Sequence, residues 1–441
     1  MKRLFLIELI VLLGVGNILC AQGLPTGTTA SADGFYKDIF MDSGINVTST
    51  KDLPVSRYLQ LSIEAFISAT HSPDSLTIKD TILQNNMICG SDMDWNGILL
   101  YPDGAPRFRM IYMNGGKATK HGNSLTPKGR ENIRTFIAGG GSYVGTCAGA
   151  YIASMGRVNK APVVTPEYTA IWPGFAKGTK LEKSFTAMAV IPGSPLLKYA
   201  DFGGDMRIDS VRHNGGCYAY YGKDGVIPEG TEPLLTYIYD TVSVNSKVRI
   251  HGEVSAWAYK KDNNTGRVVV TGSHPEAMVT GERLELMAAL VSYAMDGNGA
   301  PRVKGILENG KWRVMDKETK DALPEYTRIG DRQYHHYVVN VPKNAKKVIV
   351  DLRGIREKDD VDLSLLAKSN DFAMHSTSKI KNVAKGANKQ LVIENPAAGE
   401  LYISVFCEST VSARTGKYGT EYFGRTDLLN GVPYKIMVSV E

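Results

Sequence analysis

Cys147 is the residue around which a reaction can be built. It stands in Gly145-Thr146-Cys147-Ala148-Gly149, after an apolar run (142–146) and before a small-residue helical run (148–154). A thiol between a strand and a helix, with glycine two residues away on each side, has the layout of a nucleophile elbow. The turn is strained, its side chain is presented outward, and a Cβ on either flanking residue would crowd it. The start of the following helix favours a thiolate and aims the Ala148 N–H where an oxyanion would form. The competing reading is an inert buried cysteine after a core strand. The preceding Gly139-Gly140-Gly141 is not a phosphate loop, because the Gly-Lys-Ser/Thr ending is missing.

A thiol nucleophile needs a base. Of the eight histidines, His274 has the best setting: it lies in 270–276 (VTGSHPE), directly after an apolar strand. Ligands of parallel α/β sheets gather at the carboxyl ends of strands. Glu276 follows two residues on, across Pro275, and in extended chain those positions share a side. Its carboxylate can then orient the ring and support its charge. A surface loop histidine is the alternative. Asn114-Gly115-Gly116 follows another strand, and glycines there let backbone approach a ligand closely. The Gly116 N–H is the expected second oxyanion donor; a plain tight turn is the alternative. Asn114, Gly115, His121 and His213 are candidate pocket residues, with a solvated loop as the other reading of His121.

Other polar groups are expected to be structural. His335 and His336 adjoin in a strand, so they face opposite sides. Asp103, Arg107 and Arg109 are expected to form ordinary surface pairs, although an arginine there could hold a carboxylate. Asp359, Asp360 and Asp362 read as a solvated turn rather than a calcium site, which needs six or more oxygens. No metal and no cofactor is expected.

Elements must position these groups. Residues 56–70 carry Leu59, Ile63, Phe66 and Ile67 at helical spacing, and 107–113 reads as a strand. Residues 126–138 form a helix with Thr126 as N-cap and Pro127 at its first position; Ile133, Phe136 and Ile137 lie on one face. Residues 267–272 are β-branched, and 282–295 is an amphipathic helix with Leu286, Leu290, Val291 and Ala294 inward. Alternating strands and helices predict a parallel α/β sheet. Beyond turn chemistry at 296–301 the texture changes. Strand-like runs at 336–341, 347–352, 361–366, 390–394, 401–406 and 434–440, with no long helix between them, predict an antiparallel β-sandwich. Residues 299–329 read as a linker, with room for a short hairpin.

The chain has 441 residues, 43% apolar and 22% charged, with five cysteines and a formal charge of +6. That excludes a mainly disordered chain and a disulfide-dense scaffold, and no stretch concentrates charge for a nucleic-acid partner. Residues 1–21 read as a signal peptide: Lys2 and Arg3, then an apolar run to Leu19, then Cys20 and Ala21. Lipid anchoring at Cys20 is disfavoured by Leu19 before it. No later run is long enough to span a bilayer. A secreted, periplasmic or cell-surface protein is expected. Cys89, Cys147, Cys217 and Cys407 show no C-x-x-C spacing, and a disulfide among them is allowed.

The Cys147 elbow, the Asn114-Gly115-Gly116 turn and Ser273-His274-Pro275-Glu276 together resemble the class I glutamine amidotransferase-like superfamily. The run 145–151 resembles most closely the amidotransferase-like domain at the N-terminus of biotin–protein ligases. The resemblance covers 34–298 and implies a flavodoxin-like three-layer α/β sandwich, with Cys147 as nucleophile, His274 as base and Glu276 as orienting acid. Two departures stand out. The family's Gly-x-Gln after the nucleophile is replaced by Gly149-Ala150-Tyr151, so glutamine is not implied as substrate. No Gly-Arg-Gly-Arg-type ligase loop occurs, so biotin ligation is not implied either. Residues 330–441 resemble the bacterial pre-peptidase C-terminal domain, through Gly330-Asp331-Arg332-Gln333-Tyr334, Asp360-Val361-Asp362-Leu363, the stretch 396–402 and the strand 434–440.

The expectation is an exported cysteine hydrolase acting on an amide or related acyl bond of a small molecule or peptide. The alternative is a non-catalytic extracellular binding protein that keeps this fold. Neither oligomeric state nor substrate identity is legible.

Overall fold

Four parallel strands start the central sheet of the computed structural model, which describes residues 35, 37–42, 53–66, 88–221, 227–239, 248–321, 323–355, 360–415 and 420–441. The expected signal peptide, Cys20 and Asp359 lie outside the described residues. Strands β1 (Lys37–Asp42), β2 (Ile63–Phe66), β3 (Phe108–Met113) and β4 (Ser142–Thr146) run parallel in the order β2-β1-β3-β4. Every residue of β3 and β4 is buried, as parallel strands covered on both faces require. Four helices intervene or follow: α1 (Pro54–Tyr58), α2 (Ala118–Ser124), α3 (Thr126–Ala138) and α4 (Ala148–Ala153).

The helix expected over 56–70 ends at Tyr58 and gives way to strand at 63–66; residues 67–70 lie outside the described residues. The chain leaves α1 through Gln60 at φ +55 and enters β2, an edge strand pairing with β1. β-Branched Ile63 fits a strand as well as a helix, and pairing on the sheet decides between them. In α3 the expected cap is present: Thr126 takes φ +59, and the Gly129 N–H donates to its Oγ1 at 3.4 Å.

After α4 the chain is nearly all strand: β5 (Gly156–Val158), β6 (Pro162–Val164), β7 (Phe175–Gly178), β8 (Ser184–Val190), β9 (Arg207–His213), β10 (Cys217–Tyr220), β11 (Thr231–Ile238) and β12 (Val254–Tyr259). β13 (Val268–Thr271) then returns parallel to β4, and α5 (Glu282–Met295) follows. The full central order is β2-β1-β3-β4-β13-β12-β11-β8-β9, with β12, β11, β8 and β9 antiparallel. The expected parallel sheet is therefore mixed. β10, β7, β5 and β6 make a second, four-stranded sheet.

Alternation along β3 splits the core. Ile111 and Met113 join Ile133 and Phe136 of α3 on one face. Met110 and Tyr112 join Leu286, Leu290 and Ala294 of α5, and Val55 of α1, on the other.

The remaining strands are β14 (Val303–Ile306), β15 (Arg313–Met315), β16 (Tyr334–Val341), β17 (Lys347–Gly354), β18 (Leu363–Ser369), β19 (Ile380–Asn382), β20 (Lys389–Glu394), β21 (Gly399–Cys407), the hairpin β22 (Ser412–Thr415) and β23 (Thr420–Phe423), and β24 (Tyr434–Val440). They build two larger sheets, β14-β16-β21-β18-β19 and β15-β24-β17-β20, while β22 and β23 pair with each other. Val339, Leu365 and Ile403 from the first share one buried cluster with Val350, Leu391 and Ile436 from the second. The stretch expected as a linker supplies β14 and β15, both edge strands, where polar and glycine-containing sequence is tolerated.

The tail is docked on the first region by buried polar contacts. The Arg107 guanidinium donates to Asp94 Oδ2 at 2.5 Å and to the Leu429 carbonyl at 2.7 Å. Asn430 accepts from Trp95 N–H at 2.9 Å and donates to the Met93 carbonyl at 3.0 Å. Lys304 Nζ lies 2.5 Å from Asp103 Oδ2. Arg109 donates to Asp38 Oδ1 at 3.0 Å. The expected surface pairing of Asp103, Arg107 and Arg109 is corrected: side chains of Arg107 and Arg109 are 0% and 3% exposed. The tail and the neighbouring strand β1 cover them. Among the described residues no helix is long and apolar enough to cross a membrane.

Candidate functional site

The backbone at Cys147 is strained as an elbow requires, with φ +50 and ψ −101 between β4 and α4. The flanking glycines are explained by contact. A Cβ on Gly145 would stand 2.7 Å from the Gly149 carbonyl carbon, and one on Gly149 would stand 2.1 Å from the Met113 oxygen. The Cys147 N–H donates to the Thr271 carbonyl at 2.9 Å, which ties the elbow to β13. The residue is 4% exposed, and its thiol faces the Asn214 carbonyl at 3.8 Å.

β13 carries the partner group. Thr271 sits opposite Thr146 in the parallel register, so the chain leaving β13 passes the elbow. There His274 Nδ1 lies 2.9 Å from Glu276 Oε1, and the ring is a neighbour of Cys147. Burial acts to lower the ring's pKa, but the hydrogen bonds to Cys147 and Glu276 and their negative charge outweigh it, raising it to about 10. The His274 N–H donates to the Arg212 carbonyl at 2.8 Å, fixing the loop to β9.

The Asn114-Gly115-Gly116 turn closes the other side. A Cβ on Gly115 would stand 2.3 Å from His274 Cε1 and 3.4 Å from Cys147 Cβ, so glycine is needed for the ring to lie there. Gly116 adopts φ +151, and Asn114 is 4% exposed. Ala148 begins α4 and is buried. Cys147, His274, Glu276, Gly115 and the start of α4 are thus brought together at the carboxyl ends of β3, β4 and β13.

Two expected pocket residues have other places. His213 is fully buried behind the His274 loop, with Nδ1 2.9 Å from Ser273 Oγ and Nε2 2.7 Å from Thr179 Oγ1. Burial, then the charge of nearby His274, lowers its pKa to about 4, so it is neutral. His121 is not solvated: it is buried on α2, with Nε2 2.8 Å from Asp42 Oδ2 at the end of β1. In the tail, His335 and His336 do face opposite ways, toward Tyr434 and Ser404. Asp360 pairs with Arg425 at 2.6 Å, and Asp362 Oδ1 accepts from Gly386 N–H at 2.6 Å. Cys89, Cys147, Cys217 and Cys407 are all free thiols. Arg212 and Asp42 are neighbours that no sequence signal marks, whereas Asn214 belongs to a glycine turn, Asn214-Gly215-Gly216, whose sequence suggests a place at the pocket rim.

Residues 104–293 match the family model for biotin-protein ligase, N terminal. That segment contains the elbow, the Gly115-Gly116 turn and the His274-Glu276 loop, and the match supports an amidotransferase-like fold for it. A curated protein from Chlamydia muridarum, itself uncharacterized, is 28% identical over 123 residues, covering 26% of this chain and 46% of its own length. The chain thus spans about half of that relative. Among solved structures, a glutamine amidotransferase is 17% identical, with a TM-score of 0.27 over 42% of this chain and 80% of its own. A ThuA-like protein from Bacteroides uniformis is 14% identical, with a TM-score of 0.33 over 60% of this chain and 94% of its own.

Proposed function

We propose that the protein is a cysteine-nucleophile hydrolase of amide or related acyl bonds. One observation carries the reading: the His274 ring, bonded through Nδ1 to Glu276 at 2.9 Å, lies with Cys147 against the same face of Gly115. That is the nucleophile, base and orienting-acid arrangement of acyl transfer. The protonated His274 ring is ion-paired with the Cys147 thiolate, which attacks the substrate carbonyl. N–H groups of Ala148 and Gly116 hold the oxyanion. The imidazolium then protonates the departing amine, leaving a thioester on Cys147. Water, deprotonated by the imidazole, cleaves it to acid and free thiol. Every proton in this cycle is carried by His274.

The test is alkylation of Cys147 against pH in wild type and His274→Ala, with mass detection of an acyl adduct from an activated ester. A pH profile unchanged by the substitution, with no adduct, sinks the reading. A second reading, a binding protein without turnover, is favoured by the 4% exposure of Cys147. Labelling of other groups but never Cys147 would favour it. We further propose that residues 1–21 direct export, that 34–298 form a flavodoxin-like unit, and that 330–441 form a β-sandwich of the kind accompanying secreted hydrolases.

A further inference from the structure

Cross-strand partners of an antiparallel bridge carry their side chains on one face, with Cβ atoms about 5 Å apart. His274 bridges to Arg212 of β9 in this way, and Arg212 pairs in turn with Phe185 of β8. Phe185, Arg212 and His274 therefore form one row across three neighbouring chain segments. The alternation agrees: Val211 and His213, the residues beside Arg212, are buried on the opposite face, as is Thr186 beside Phe185. The row itself is open. Phe185 is 59% exposed and Arg212 is exposed. Among the described residues no carboxylate pairs with Arg212. An exposed phenyl ring and an uncommitted guanidinium, in line with the proposed base, make a ledge beside the site.

We propose that this ledge selects the substrate: Arg212 receives a carboxylate on the acyl compound or peptide, while Phe185 covers its apolar part. The planar guanidinium fork matches a carboxylate in a bidentate manner. A substrate carrying an acidic group close to the scissile carbonyl is the class implied. This inference rests on Cys147 acting as nucleophile.

The experiment compares alkylation of Cys147 by iodoacetate and by iodoacetamide, reagents that differ in one negative charge. It is run on the full chain in wild type, Arg212→Gln, Arg212→Glu and, as a remote charge reversal in the tail, Lys311→Glu. The expected result is an iodoacetate-to-iodoacetamide rate ratio that falls about tenfold in Arg212→Glu and partway in Arg212→Gln, and holds in Lys311→Glu. A ratio equal across all four proteins, with iodoacetamide still reacting, overturns the ledge and leaves the nucleophile intact. Failure of iodoacetamide to label Cys147 in wild type removes the nucleophile, and the ledge with it. A carboxylate-bearing p-nitroanilide and its neutral amide isostere give the second readout. Arg212→Glu should lower the acid-to-amide ratio of kcat/KM, chiefly through KM.

Discussion

Gly115 and His274 are packed so closely that a Cβ on Gly115 would fall 2.3 Å from Cε1 and 3.0 Å from Nδ1 of the ring. The ring is held at Nδ1 by Glu276 and lies beside Cys147. It cannot yield to a methyl group without losing one of them.

Gly115→Ala should therefore damage chemistry more than folding. Displacing the ring by about 1 Å is expected to cost on the order of a hundredfold in Cys147 acylation rate. Overpacking should cost about 1–3 kcal/mol in stability. Stopped-flow acylation and urea unfolding separate the two. A variant with wild-type acylation would show that the ring's position does not matter.

The His274 ring should stay protonated well above the ordinary histidine value of about 6.5. Its folded pKa is raised, to about 10, so its contribution to stability is complete below the unfolded value and is lost as pH rises through about 10. NMR titration of the ring should show the late transition in wild type and an earlier one in Glu276→Gln and Cys147→Ala. An unmoved transition in both variants would contradict the coupling.

His213 should act in the opposite sense. Its folded pKa is depressed to about 4, chiefly by burial. Stability from its neutral form is present above about 6.5 and is lost as pH falls toward 4. Urea midpoints between pH 7 and pH 4.5 should fall more steeply in wild type than in His213→Gln. Parallel slopes would assign the acid sensitivity to other groups.

How much of this was legible beforehand depended on the range of the interactions. The elbow was readable because its glycines answer to contacts within a few residues, Gly145 against Gly149. The His274-Glu276 pair was readable because i and i+2 share a side. Gly115 was marked as permissive, but the ring it accommodates lies more than a hundred residues on. His121 looked like a loop residue because Asp42, its partner, lies on another strand. β2 reads as helix from sequence because Ile63 and Phe66 stand three apart, a helical spacing, and only the pairing with β1 makes it a strand. β14 and β15 were hidden as linker because edge strands need little apolar sequence.

Arg107 gives the last prediction. Its guanidinium is 0% exposed and joins Asp94, 2% exposed, to the Leu429 carbonyl of the tail. Removing one partner of a buried pair leaves an uncompensated charge, which costs about 3–5 kcal/mol, whereas replacing both with apolar groups costs far less. Arg107→Met should therefore destabilise strongly, and Asp94→Leu added to it should restore much of the loss. Because Leu429 would also lose its donor, Arg107→Met should loosen the docking of 426–430 as well. That loosening appears as faster hydrogen exchange at Trp95, whose N–H is held by Asn430 at 2.9 Å. Additive costs in the double variant, with Trp95 exchange unchanged, would mean that Arg107 neither compensates Asp94 nor anchors the tail.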